Sequence, residues 1–353
     1  MPLVKDPKEV VDLYTEVRER GACMPCYCAE NRRTIEAVLK ATHGIGQEIS
    51  VSDLPVILAF TAGYPPRGQM HWYVDIDDCV LGAQAVVQDL ELLLSERSPY
   101  RNLRVMLHLD HGQPGPDDVF FKDDHWLDTF ATVMYDCSHW PLEENIARVA
   151  AYVQEVQGKT LVEGAVDEIF DANPEGAEKN DVTEVAQAER FVNETGAFLI
   201  VPNLGTEHRA SAADLKYHSD RAREISEAVG KILCIHGTSC IKPEEIHKLR
   251  EDGIIKVNIW TGMERSGAKA VARYVLEQLG NIMAEEDMGA LAADGYLGER
   301  HASEAYKQDV CKGAFKPKLD VFPEIERKRH WMVPVVEMIQ RDLRAFGYEA
   351  FAG

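Results

Sequence analysis

With 353 residues, 45% of them apolar and 27% charged, the chain can bury a large core, and no apolar run reaches the roughly 18 residues of a membrane span. Lys and Arg total 38 against 59 Asp and Glu, giving a net charge of −21. That balance argues against nucleic acid, whose binding needs Lys/Arg clusters to displace counterions, and it opposes long-range attraction of anionic substrates. A phosphate-bearing ligand would therefore need local donors such as backbone N–H groups.

Eight cysteines in so long a chain do not make a disulfide framework. Cys23, Cys26 and Cys28 read as small buried thiols in an apolar run. The start Met1-Pro2-Leu3-Val4-Lys5-Asp6 lacks the basic-then-apolar pattern of a secretory signal, so the expected compartment is the cytosol.

Short apolar or β-branched runs fall at Ala22–Cys28, Pro55–Thr61, Leu103–Leu109, Thr132–Asp136, Thr160–Val166, Ala197–Pro202, Lys231–His236 and Ile254–Trp260. Amphipathic stretches lie between them, including Asn31–Thr42, Leu142–Val156, Val182–Thr195, Asp214–Val229 and Pro243–Glu251. Pro141 opens one helix, and Gly158, Gly196, Gly230 and Gly253 close four others. Eight strands alternating with helices predict an α/β fold, a closed (β/α)₈ barrel over residues 1–280, with a doubly wound open sheet the alternative on pattern alone. No GxGxxG or GxxxxGK[ST] run supports a nucleotide-binding sheet. Residues 281–353 are expected to form a C-terminal helical extension, with a helical pattern near Val333–Phe346, packed on the barrel or on a partner subunit.

Chemistry in such a barrel sits where the strands end, on the face that carries the βα loops. Strand three ends in His108-Leu109-Asp110-His111-Gly112, strand six runs into Gly205-Thr206-Glu207-His208, strand seven into His236-Gly237-Thr238-Ser239, and strand eight into Asn258-Ile259-Trp260-Thr261. Three strands thus bring a histidine to one rim. Imidazoles from separate strands with an open position suit a catalytic zinc ion, so His111, His208 and His236 are the candidate ligands. His108 and Asp110, two apart, share the face toward the barrel axis. Asp110 is then placed to shuttle a proton or, alternatively, to orient a ligand histidine. Asp136 and Ser138 end strand four, where they could line the substrate site; Ser138 could equally start a helix. The Gly- and Pro-rich segment from Gly63 to Trp72 is a rim loop, either a specificity lid or a plain connection.

From Pro25 to Thr261 these segments, with Asn31, Pro55-Val56-Ile57-Leu58, Met134-Tyr135-Asp136-Cys137-Ser138-His139, Val162-Glu163 and Lys256-Val257-Asn258-Ile259, appear in the order found in class II fructose-bisphosphate and tagatose-bisphosphate aldolases, which the chain resembles. The resemblance implies a divalent metal, usually Zn²⁺, on His111, His208 and His236, and reversible aldol cleavage of a ketose. By default the ketose is fructose 1,6-bisphosphate, with another ketose phosphate or a sulfonated ketose as the alternative. It further implies that Asp110 exchanges a proton with the aldehyde oxygen and that Asn258 hydrogen-bonds the enediolate. The base that deprotonates the donor is a glutamate on the loop after strand five, where Glu175 and Glu178 both lie. Gly205, Gly237, Ser239, Thr261, Asn31 and Ser138 fall at substrate- or phosphate-binding places. Arg209, Thr238, Cys240 and Trp260 replace the family's residues at four others, and Arg209 offers a bidentate anion contact. On strand five Gly164-Ala165 stands where the family carries a second glutamate. A homo-oligomer, a dimer or larger, is expected by the same analogy. A metal-dependent barrel hydrolase would need a His-x-His pair on strand one, which the chain lacks; a barrel without catalysis is the remaining alternative.

Overall fold

The computed structural model describes residues 3–65, 67–168, 182–206, 217–302 and 324–352. Eight parallel strands close into a barrel in sequence order, with β8 pairing back onto β1. They are β1 Met24–Cys28, β2 Pro55–Phe60, β3 Arg104–Gly112, β4 Thr132–Tyr135, β5 Leu161–Ala165, β6 Leu199–Val201, β7 Leu233–Ile235 and β8 Ile254–Ile259. Each matches one of the eight runs read from sequence, because parallel strands covered on both faces must be apolar nearly throughout. The largest difference is in β3, which continues three residues past Leu109.

Helices cover the outside. α1 (Pro7–Glu19) starts at Asp6, whose carboxylate accepts from the Lys8 and Glu9 amides. α2 (Arg32–Ile49) starts in the same way at Asn31, whose Oδ1 accepts from Arg33 N at 2.9 Å and Thr34 N at 3.2 Å. Around the ring follow Cys79–Leu93, Leu142–Glu155, Val185–Thr195 and Ser219–Val229. Gly158, Gly196, Gly230 and Gly253, the four stops, all take positive φ, where a Cβ would add strain. Fully buried Phe60, Phe120, Phe130 and Phe191 fill the helix–sheet layer, each contributing roughly 1.5–3 kcal/mol by burial.

The chain forms two compact units, Met1–Gly262 with Ile339–Gly353, and Met263–Met338. In the first, the C-terminal segment closes the N-terminal end of the barrel. Tyr348 Oη donates to Pro55 O at 2.6 Å, and Cys23 N donates to Phe346 O at 3.0 Å. The described residues of the second unit are mostly helical. Leu279 and Met288 form its small core with Val275, Met283 and Leu297 against them, and Tyr274 stacks on His330 at 3.8 Å. Among the described residues no helix is long and apolar enough to cross a membrane.

Inside the barrel the inward side chains are polar and form two levels. The deeper level holds Lys256, Glu163 and His108, all fully buried. Lys256 Nζ lies 3.0 and 2.9 Å from the two Glu163 oxygens and 3.0 Å from His108 Nε2. Cys234 Sγ also donates to Glu163, at 3.0 Å. The upper level, one inward step along β1, β3 and β8, holds Cys28, Asp110 and Asn258.

Candidate active site

An irregularity in β3 builds the upper level. Its register with β4 runs His108↔Thr132 and Leu109↔Val133, then reaches Tyr135 only at Gly112, so β3 spends one residue more than its neighbour. The extra residue is taken up at His111, whose φ of 47° lies in the left-handed region. Such a conformation is strained for a residue with a Cβ and persists only where the surroundings hold it. In a regular strand Asp110 and His111 would face opposite sides; here both side chains reach one site. Gly112 completes the bulge, since a Cβ there would meet the Phe121 ring at 2.4 Å and Met134 O at 3.0 Å.

Asp136 fixes the His111 ring. Its Oδ2 lies 2.8 Å from His111 Nδ1, while its Oδ1 accepts from Ser138 N at 3.1 Å and Ser138 Oγ at 2.6 Å. Facing a carboxylate, Nδ1 carries the proton, so the Nε2 lone pair points into the barrel. His236, directly after β7, presents Nδ1 3.1 Å from that Nε2, and its own Nε2 faces Glu163 Oε1 at 3.8 Å. Thr206 Oγ1 donates to His236 O at 2.7 Å and so ties the end of the β6 segment to this ring.

Two ring nitrogens thus converge, with a carboxylate hydrogen-bonded behind the His111 imidazole, the arrangement that orients a histidine ligand toward a metal. A tetrahedral ion with bonds of about 2.0–2.1 Å places two ligand nitrogens about 3.3 Å apart, close to the observed 3.1 Å. Asp110, His111 and His236 offer donor atoms all within 4.8 Å of one another, and all three are buried. The residues present therefore fit a divalent cation.

Asp110 is held from two sides, accepting from Asn258 Nδ2 at 2.9 Å and Cys28 Sγ at 3.2 Å. Burial works to raise its pKa, but His111, His236 and His108, when they carry a second proton, and Lys256 outweigh it and hold the carboxyl well below the usual range. Burial, aided by Lys256, lowers His108 to about 4, so this ring stays neutral. Burial likewise pushes the Cys28 thiol up and keeps it protonated.

The pocket above these groups is lined by Cys28, Arg67, Asp110, His236, Gly237, Thr238, Ser239, Asn258, Ile259, Trp260 and Thr261. Gly237 takes a φ of 65° and opens a single 3₁₀ turn, Thr238–Cys240, which carries Ser239 to the rim. The structure thus brings together Asp110, His111, His236, Gly237, Ser239, Asn258 and Thr261 from the sequence reading. Ser138 acts on Asp136, and the helix that follows begins at Pro141 instead. Asn31 is exposed and its side-chain oxygen is spent on capping α2. Gly205 N donates to Asn203 Oδ1 at 2.9 Å. His208, Arg209, Glu175 and Glu178 lie outside the described residues.

Sequence reasoning missed three contributors. Tyr64 stacks on His111 with ring centres 4.5 Å apart and planes at 13°. Arg67 stands over the Trp260 ring at 4.3 Å. Both come from the rim loop after β2, which is tied down by Gly63 N donating to Asp117 at 2.7 Å and by the buried Gln69 accepting from Thr61 N at 3.1 Å. The third is Lys256, whose only sequence signal is a charge two residues before Asn258 in an otherwise apolar strand.

A family model described as fructose-bisphosphate aldolase class-II matches residues 8–340. Among solved structures, a fructose-bisphosphate aldolase from Campylobacter jejuni shares 17% identity over 98% of this chain and 95% of its own, with a TM-score of 0.73. The YdjI aldolase from Escherichia coli K12, also 17% identical, covers 99% of this chain and 100% of its own at a TM-score of 0.62. These likenesses give the same barrel, and the family match spans nearly the whole chain. The chain therefore belongs to the class II fructose-bisphosphate aldolase family.

Proposed function

We propose that this aldolase-family lyase is metal-dependent and reversibly cleaves a small phosphorylated ketose, with fructose 1,6-bisphosphate the first substrate to test and other ketose phosphates or sulfonated ketoses the alternative. The observation that carries the reading is the convergence of His111 Nε2 and His236 Nδ1, 3.1 Å apart, beside a strongly acidic Asp110. A divalent metal held there, Zn²⁺ by the family's habit, would supply Lewis acidity to the ketone carbonyl. His111 and His236 would hold it, with His208 as third ligand.

Asp110, ionised at rest, takes the proton of the substrate hydroxyl as the carbon–carbon bond breaks, and the electron pair of that bond moves toward the ketone half. Asn258 keeps Asp110 aimed through its 2.9 Å bond and leaves its Oδ1 without a partner among the described residues, available to the substrate. Reprotonation of the ketone half falls to Glu175 or Glu178. Cys28 and Ile259 help to exclude water from the pocket floor. Homo-oligomerisation, a dimer at least, belongs to the same reading.

The test is retro-aldol cleavage across ketose mono- and bisphosphates and sulfonated ketoses, with and without chelator. Cleavage that chelation abolishes and that falls by at least 100-fold in Asp110→Asn, with metal content retained, supports the reading. Chelator-resistant cleavage, or equal loss of metal and activity in that variant, overturns it.

A further inference from the structure

Arg67 is a cation where cations are costly. It is only 9% exposed, and its Nε is buried with no hydrogen-bond partner among the described residues. Among the described residues no carboxylate lies within ion-pair distance of its guanidinium; Glu30, nearby, has its pKa raised by burial against the lowering effects of Trp260, Arg67 and Gln69. A buried charge that is not paired normally finds compensation elsewhere. The guanidinium face is supported by Trp260 at 4.3 Å, and its backbone is locked at both ends: Arg67 N donates to Tyr64 O at 2.9 Å, and Arg67 O accepts from the Thr61 hydroxyl and from Gln69 N. The side chain is therefore prepositioned in the wall of the pocket. A second unused donor lines the same pocket, the buried Ser239 Oγ, which has no partner among the described residues.

We propose that Arg67, braced by Trp260, is the specificity-determining cation of this site and receives the tetrahedral oxyanion of the substrate, a phosphate or sulfonate, together with the Ser239 hydroxyl. A planar fork of N–H donors matches such an anion in two-point contact, and a fixed charge costs little further ordering on binding. In a protein with a net charge of −21 the local cation also supplies attraction that the overall field withholds. The assignment rests on the aldolase reading of the pocket only for the identity of the molecule that carries the anion.

The experiment is calorimetric titration of the metal-loaded, full-length protein with inorganic phosphate, methanesulfonate and acetate. The wild type, Arg67→Met, Arg67→Lys and Trp260→Leu are compared, after circular dichroism and metal content have established folding. Phosphate or methanesulfonate should bind the wild type more tightly than acetate does. Loss of the charged hydrogen bonds should weaken that binding about 10- to 100-fold in Arg67→Met, and by less in Arg67→Lys, which keeps the charge but not the fork. Trp260→Leu should weaken it several-fold. Unchanged affinity in Arg67→Met, or in Arg67→Lys if the former fails to fold, overturns the proposal, as does tighter binding of acetate or no binding to the wild type. Arg67-dependent phosphate binding in a protein that cleaves no ketose would sink the lyase reading alone. Ketose cleavage with Arg67-independent anion binding would sink this one alone.

Discussion

Lys256 Nζ lies 2.9 Å from Glu163 Oε2 in the middle of the barrel, and neither side chain has any exposure. Burial works against the lysine's charge, yet the neighbouring Cys26, Glu163, Cys234 and Tyr14 raise its pKa well above the ordinary value. Glu163 is burdened by burial too, and the Lys256 ammonium, the largest opposing influence, holds it ionised. Lys256→Met would leave that carboxylate without its cation, and breaking a buried pair costs about 3–5 kcal/mol. Urea denaturation should show this loss, and the double variant Lys256→Met with Glu163→Leu should recover most of it. A single variant as stable as wild type would show that the pair contributes nothing.

Asp136 does for His111 what no group on β3 can do, fixing which nitrogen carries the proton. Asp136→Ala should weaken metal affinity about 10- to 100-fold, the usual effect of removing a carboxylate behind a histidine ligand. Ser138→Ala, which removes one of two bonds to Asp136 Oδ1, should have a smaller effect in the same direction. Competition with a chromophoric chelator measures both, and a larger effect for Ser138→Ala would contradict the order of contacts.

A metal that binds the folded chain alone must also stabilise it. At free zinc 100-fold above its Kd the gain is about 2.7 kcal/mol by mass action, so the melting temperature should rise with added Zn²⁺ and fall on chelation. In His236→Ala that dependence should largely vanish. A chelator-insensitive wild type would remove the metal from the account.

Asp342, on the C-terminal helix Glu324–Ala345, is pushed up to about 6 by burial, with Arg341 pulling in the opposite direction. A carboxyl whose folded pKa exceeds its unfolded value binds more protons when folded between about pH 4 and 6. Its contribution is therefore full below the unfolded value and is lost as pH rises through 6. Asp342→Asn should raise stability at pH 7.5 by up to about 3 kcal/mol, and change it little at pH 4. Denaturant titrations at the two pH values decide; a greater gain at the lower pH would reverse the sign.

The barrel was legible because its strands are buried on both faces and read as apolar runs, and because the helices between them stop at glycines. His111 and His236 were legible from their place at the ends of those runs. His111 was harder than it looked: strand periodicity gives Asp110 or His111 to the interior, and only the bulge gives both. Arg67 was not singled out within the rim loop, because the Trp260 ring it stands over lies 193 positions away in sequence. Lys256 and Glu163 lie on different strands, and no local pattern announces that they meet.

Gly112 has no side chain to bring to catalysis, yet the approach of Phe121 and Met134 leaves it no room for one. Even a methyl group there would press on the turn that swings the neighbouring imidazole inward. The least reactive residue of the rim thus acts as a steric gatekeeper of the chemistry, and a change to alanine at 112 would be felt first as a misaimed ring, with every functional group still in the chain.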